Sequence, residues 1–209
     1  MKVLIAIPAM NQVPTQFAAS LAILQKPEDA VVGFQVGSLV YQARNNIAKA
    51  AVDMGAEVVF WLDSDMTFEP DTLKRLLNDY SEHKDAIISG IYFKRVAPYV
   101  PVLYEVFNIE NGETTHLIHT KIPEEIFEVQ ACGFGCVLTP VKILKDVMDK
   151  YGAPFNPIGG NGEDLSFCWR ARQLGYKVIA DPSVECGHVG YQVITRSFWE
   201  TYYKQCGVQ

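Results

Sequence analysis

The sequence predicts an α/β fold, a mixed but mainly parallel sheet flanked by helices, and three observations predict it. Short apolar runs alternate with helical patterns through the first 90 residues, which is the signature of β-α-β units. One run, Val58-Val59-Phe60-Trp61-Leu62, ends on Asp63-Ser64-Asp65, and carboxylates at a buried strand end need a partner or a purpose. Beyond residue 90 the alternation gives way to a hairpin signal, Asn111-Gly112.

The elements follow in order. Val3–Ile7 is an apolar run stopped by Pro8 and reads as the first strand. Thr15–Gln25 places Phe17, Leu21 and Leu24 at helical spacing, and Lys26-Pro27 ends it. Val31–Phe34 is a short second strand. Tyr41–Met54 carries Ile47, Ala48, Ala51 and Met54 on one face, with Gly55 as the stop. Glu57–Leu62 is the third strand, Pro70 opens a helix over Asp71–Tyr80, and Ala86–Ser89 is the next buried strand. Ligands of such sheets bind beyond the carboxyl ends of the strands, where Asp63 and Asp65 lie.

Pro101–Ile109 and Thr114–Lys121 form the expected hairpin, and Val129–Leu138 a strand interrupted by Gly133 and Gly135. Val141–Tyr151 is an amphipathic helix. Gly159-Gly160-Asn161-Gly162 is a flexible loop leading into a helix over Glu163–Leu174, followed by a strand Lys177–Ala180 and a last helix Phe198–Gln205. No repeat or linker divides the chain, so one domain over residues 1–209 is expected.

Composition narrows the class. With 209 residues, 49% hydrophobic and 20% charged, the chain can build one full core. A net charge of −6 argues against broad nucleic-acid or anionic-membrane binding. No apolar stretch reaches membrane-spanning length, and the N-terminal run is too short for a signal core, so a cytoplasmic protein is expected. Five cysteines, Cys132, Cys136, Cys168, Cys186 and Cys206, suit a reduced chain. Their spacing, with His188, matches no strong zinc pattern.

Two carboxylates one residue apart can both face a hard cation, and Mg²⁺ or Mn²⁺ commonly takes only a few protein oxygens, leaving room for phosphate. Alone the pattern is weak, since an acid at a strand end also caps turns. The rest of the chain supplies context. VLIAIPAMN, ARNNIAKAA, VVFWLDSDM, ACGFGCVLTPVKIL and GEDLSFCWRARQLGYKVIADPSVECGH follow one another in order. This ordered set resembles the GT-A glycosyltransferases, and the family 2 type in particular.

The resemblance implies a GT-A sheet with a small hairpin on the acceptor side. Residues 1–90 would form the nucleotide-sugar half and residues 91–209 the acceptor-binding and catalytic half. It implies a hexosyltransferase-type enzyme that takes a nucleotide-diphosphate sugar, UDP-linked by default, and inverts at the sugar C1. Asp164 would be the general base, with Glu163 orienting the acceptor or supporting the helix start. Asp63, Asp65 and His188 would hold Mn²⁺ or Mg²⁺, and donor contacts would come from Pro8, Arg44, Asn45, Asp63, Ser64, Asp65, Gly133 and Gly135. Each has a plainer alternative. Arg44 can pair on the surface, the glycines can mark a bulge, Glu163 and Asp164 can complement a helix dipole, and Lys94 and Arg95, which could meet phosphate or an acidic acceptor, read more plainly as a solvated strand end.

Two departures limit the resemblance. VVGFQVGS has no acid to read the nucleobase, and the R-x-x-R-W motif of processive synthases is missing. The acceptor-facing segment Tyr92–Glu128 offers Tyr92, Phe93, Tyr99, Tyr104 and Phe107 either for stacking on a ligand or for cross-strand packing. The acceptor hydroxyl is left open among glycan, lipid-linked sugar, protein and a modified DNA base, the last suiting a phage-type enzyme in host cytoplasm. Two rival readings remain. A haloacid-dehalogenase-like phosphohydrolase would use Asp63 of D-S-D-M-T as nucleophile, and a non-catalytic module would bind nucleotide sugar or glycan without turnover.

Overall fold

The computed structural model describes residues 1–117, 122–190 and 193–205. Strand β1 (Val3–Ala9), helix α1 (Thr15–Ile23), strand β2 (Val31–Val36), helix α2 (Val40–Asp53) and strand β3 (Val58–Leu62) alternate as expected. β1 pairs in parallel with both β2 and β3. It continues through Pro8 to Ala9 instead of stopping at Ile7. Ala9 accepts from Gly37 N on the β2 side, so Pro8 faces the β3 side, where that ladder has already ended at Ala6. The N–H that proline lacks has no partner to lose there.

After β3 comes a three-residue strand absent from the sequence reading, β4 (Met66–Phe68), then α3 (Thr72–Glu82) and β5 (Ala86–Ile91). The hairpin is present as β6 (Leu103–Phe107) and β7 (Thr114–His116). The strand stops before Leu117, and residues 118–121 of the expected strand, like Cys206, lie outside the described residues. The single strand expected over 129–138 is three: β8 (Phe127–Val129), β9 (Ala131–Cys132) and β10 (Cys136–Pro140). Gly133 and Gly135 stand where the chain crosses from the small sheet β7-β6-β9 into the large one.

Helices α4 (Val141–Tyr151) and α5 (Glu163–Arg172), strands β11 (Lys177–Val189) and β12 (Val193–Ile194), and helix α6 (Arg196–Gln205) complete the chain. β11 runs nine residues beyond the expected Ala180. It absorbs Pro182 at a register shift between Ala180 and Glu185, where the Asp181 carboxylate accepts from Ser183 N and Oγ at 2.8 and 2.9 Å.

The large sheet has the order β12-β11-β5-β10-β3-β1-β2, with β4 and β8 also paired to β11. β10 is antiparallel between β3 and β5, while β5 and β11 are parallel. Alternation along β3 sends Val59 and Trp61 to one core, with α2 and α4, and Val58, Phe60 and Leu62 to the other, with α1 and α3. Burial on both faces explains the unbroken apolar run that ends at Asp63. Among the described residues no helix is long and apolar enough to cross a membrane.

Candidate active site

The carboxyl end of β3 is pinned before any ligand arrives. Asp63 N donates to Gly135 O at 3.0 Å, and Met66 N closes a turn onto Asp63 O at 3.2 Å. That turn presents Ser64 and Asp65, both half-buried. β4 then pairs antiparallel with the far end of β11, His188 opposite Met66, and Val189 N donates to Asp65 O at 2.7 Å. A long-range strand register thus brings His188 to the acidic turn, with Nε2 3.5 Å from Asp65 Oδ2.

Asp63 is differently engaged. Arg44 from α2 donates through Nη2 to Asp63 Oδ1 at 2.7 Å and through Nε to Glu163 Oε1 at 3.0 Å. Its side chain is 2% exposed, and the guanidinium lies against the rings of Trp61 and Phe134. Burial alone would push the Asp63 carboxyl up, and Arg44 only partly offsets this, so it stays raised. Breaking a buried pair of this kind costs about 3–5 kcal/mol, because a charge is left without its counter-ion. Arg44 and Glu163 therefore brace the site: the expected nucleotide contact and the expected acceptor contact point to one another.

Asp164 opens α5 one residue further on. Its Oδ1 accepts from Leu165 N at 2.8 Å, and a Cβ at Gly162 would lie 2.6 Å from that oxygen, so glycine makes room for the carboxylate. The loop before it is fixed by Ser166, whose Oγ donates to Gly162 O and accepts from Ile158 N. Loss of hydration, then repulsion from Glu163, lifts Asp164 to about 7. Asp65 behaves oppositely. Burial would raise it, but His188 and then Arg95 outweigh burial and hold it below the usual carboxylate range.

His188 has its Nδ1 2.8 Å from Phe93 O, which fixes Nδ1 as the donor and leaves the Nε2 lone pair toward Asp65 in the neutral ring. Burial lowers its pKa, but Asp65 and this carbonyl raise it more. Asp65 and His188 thus form an oxygen–nitrogen donor pair of the kind a divalent transition ion accepts. Asp63 Oδ1 is committed to Arg44. Among the described residues no group of three or more His, Cys, Asp or Glu is assembled for a metal. Cys132 neighbours Cys168 in one core and Cys136 neighbours Cys186 in the other, so Cys132 and Cys136 do not share a site.

Three further expected contacts have other work. Asn45 Oδ1 accepts from Phe155 N at 2.9 Å and its Nδ2 donates to Asn156 Oδ1 at 3.0 Å, which ties down the loop after α4. Gly133 and Gly135 accommodate Tyr92: an added Cβ would lie 2.1 Å from Tyr92 Oη at Gly133 and 2.8 Å from its ring at Gly135. Gly135 N also donates to that hydroxyl at 3.2 Å. Gly133→Ala is therefore expected to cost about 1–3 kcal/mol by overpacking. Tyr92→Phe in the same chain should recover part of that loss, measured from urea midpoints of the four chains. A Gly133→Ala chain as stable as the wild type would contradict the packing.

The aromatics of the segment expected to face the acceptor pack internally. Tyr92, Phe93, Tyr104 and Phe107 are buried, Phe93 stacks on Trp199 at 5.3 Å, and Tyr99 packs edge-on against Phe198 and Tyr202 of α6. Arg95, for which sequence reasoning preferred a solvated strand end to a phosphate contact, has a defined place in the site. It is no bare strand end: Nη1 donates to Asp65 Oδ2 at 2.5 Å and to Val189 O at 3.2 Å. Lys94 Nζ lies 2.8 Å from His116 Nε2. On the opposite face of β4 and β11 a cavity of about 450 Å³ is lined by Thr67, Arg75, Glu185 and Arg196, and its cations already pair with Asp71 and Glu185.

This geometry has counterparts of known structure. The crystal structure of A197 from STIV superposes with a TM-score of 0.68 at 17% identity, covering 94% of this chain and 91% of that one. The crystal structure of GalNAc-T7 with UDP, GalNAc and Mn²⁺ gives 0.64 at 12% identity, covering 90% of this chain but 43% of that longer one. The fold is thus that of the GT-A glycosyltransferases. No curated protein matches the sequence. The glycosyl transferase family 2 pattern matches residues 24–138, more than half of the chain, and the protein belongs to that family. Its strand β3 and D-x-D turn lie inside the matched region, which sets aside the phosphohydrolase reading; a phosphoryl-accepting Asp63 would also have to leave Arg44.

Proposed function

We propose that the chain transfers a sugar, with inversion, from a nucleotide-diphosphate sugar to an acceptor hydroxyl, and that Asp164 is the base. One observation carries the reading: two carboxylates of the site are tuned apart, Asp164 at the start of α5 lifted to about 7 by burial and Glu163, and Asp65 in the turn after β3 held below its usual range by His188 and Arg95. That is the division of labour acid–base catalysis needs near neutral pH. Asp164 takes the acceptor O–H proton, the freed oxygen bonds to the sugar C1, and the C1–phosphate bond breaks with its electron pair leaving on the diphosphate. Asp65 and His188 would hold a divalent ion, which when bound supplies positive charge to that leaving diphosphate. Arg44 keeps Asp63 and Glu163 in place, so Asp164 stays beside a fixed negative neighbour.

The UDP and Mn²⁺ bound by GalNAc-T7 make these the first probes. Calorimetric titration with UDP, GDP, CDP and dTDP, each with and without Mn²⁺, should show metal-dependent binding of one nucleotide. Asp65→Asn should weaken that binding at least tenfold. Metal-independent binding, or binding indifferent to Asp65→Asn, would remove Asp65 from the donor site.

A further inference from the structure

The metal-binding reading leaves one contact unexplained. Arg95 Nη1 and His188 Nε2 approach the same oxygen, Asp65 Oδ2, from 2.5 and 3.5 Å. A cation bound to that oxygen would face the positive charge of the guanidinium on the same atom. We propose, resting on the metal reading above, that Arg95 is an exchangeable counter-ion: it holds Asp65 in the donor-free enzyme, yields it to the divalent ion, and turns to the diphosphate that arrives with that ion.

The two arginines of the site differ in the property that decides which can move. Arg44 is 2% exposed and bridges two carboxylates, whereas the Arg95 side chain is 49% exposed and reaches one. Its second bond is to a backbone carbonyl at 3.2 Å. An exposed pair of this kind is weak, and a doubly charged ion competes with it well.

The backbone permits the exchange without disturbing His188. Arg95–Pro98 is the exposed tip of a hairpin whose base is closed by Lys94 N donating to Val100 O and by Phe93 opposite Pro101. Phe93 lies at that base and keeps its carbonyl on His188. The tip is anchored at the other side by Tyr99 against α6. Gly190 gives the Arg95 stem its room, since an added Cβ there would lie 3.3 Å from Arg95 Cδ. The guanidinium can therefore swing while the histidine stays aimed. A displaced fork of N–H donors next to an incoming diphosphate matches phosphate geometry.

The test is Mn²⁺ binding to the nucleotide-free chain, read as loss of the free-ion electron paramagnetic resonance signal. Arg95→Met keeps the stem and removes the charge, and it should bind Mn²⁺ at least fivefold tighter than the wild type. In the presence of Mn²⁺ it should bind UDP at least fivefold more weakly. On an Asp65→Asn background, Arg95→Met should leave Mn²⁺ affinity unchanged. Equal or weaker Mn²⁺ binding by Arg95→Met overturns the exchange while the metal reading stands. Undiminished UDP affinity overturns the second contact. If neither chain binds Mn²⁺, even with UDP present, the metal reading falls and the exchange with it.

Discussion

Replacing Asp164 by Asn should lower the transfer rate by about 10²–10⁴-fold, the usual range for loss of a positioned base, with the nucleotide still bound. The same carboxyl sets the pH dependence. Asp164 must be ionised to accept a proton, so kcat/KM should rise with pH through about 7. The stability effect has the opposite sense. The folded chain keeps the Asp164 proton up to about 7, while an unfolded aspartate loses it near 4, so the wild type loses stability as pH rises between them. Asp164→Asn should therefore be inactive yet more stable at pH 8, by about 1–3 kcal/mol, with the gap closing by pH 4. Urea melts at the two pH values and a rate profile check both halves. An active Asp164→Asn chain would end its assignment as base.

Arg44→Met should be the most damaging single change to stability. It leaves Asp63 and Glu163 partly buried beside the Asp164 carboxyl without their shared cation, a loss of about 3–5 kcal/mol. That is a large share of the 5–15 kcal/mol typical of a domain. Lysine should restore only part, because one ammonium cannot donate to both carboxylates along the Nη2 and Nε directions seen here. Replacing all three groups, with Asp63→Asn and Glu163→Gln added to Arg44→Met, should recover much of the deficit. Full recovery by Arg44→Lys would show that charge alone, without the fork, suffices.

The fold was largely legible because β1, β3 and β5 are local apolar runs and the helices between them keep a clear period. The buried position of Arg44, expected instead to reach the nucleotide or pair on the surface, follows from its spacing. It precedes Ile47, Ala48 and Ala51 by three, four and seven residues, on the same face of α2. What escaped the sequence depends on partners far along the chain. β4 has three residues and exists because β11 pairs with it. β11 itself extends past Pro182 because a register shift accommodates the proline. Arg95 carries no local signal for its partner, since Asp65 lies 30 residues away in sequence. Tyr92 filling Gly133 and Gly135 is likewise a long-range contact that reads, in sequence, as open space for a ligand.

The antiparallel strand β10 has a consequence for how the chain acquires its shape. It lies between β3 and β5, and β11 lies on the other side of β5. While the first 91 residues leave the ribosome, β5 has neither neighbour and β3 lacks one. The central strands carry unpaired ladder edges until residues 136–140 arrive, and β5 is flanked on both sides only after 177–189 follow. Closure through such distant pairings is the slow kind, and open edges in the meantime invite association with other chains. The acidic turn after β3 is held to Gly135 and to β11, so the candidate site and the closed sheet are completed in the same late steps of folding.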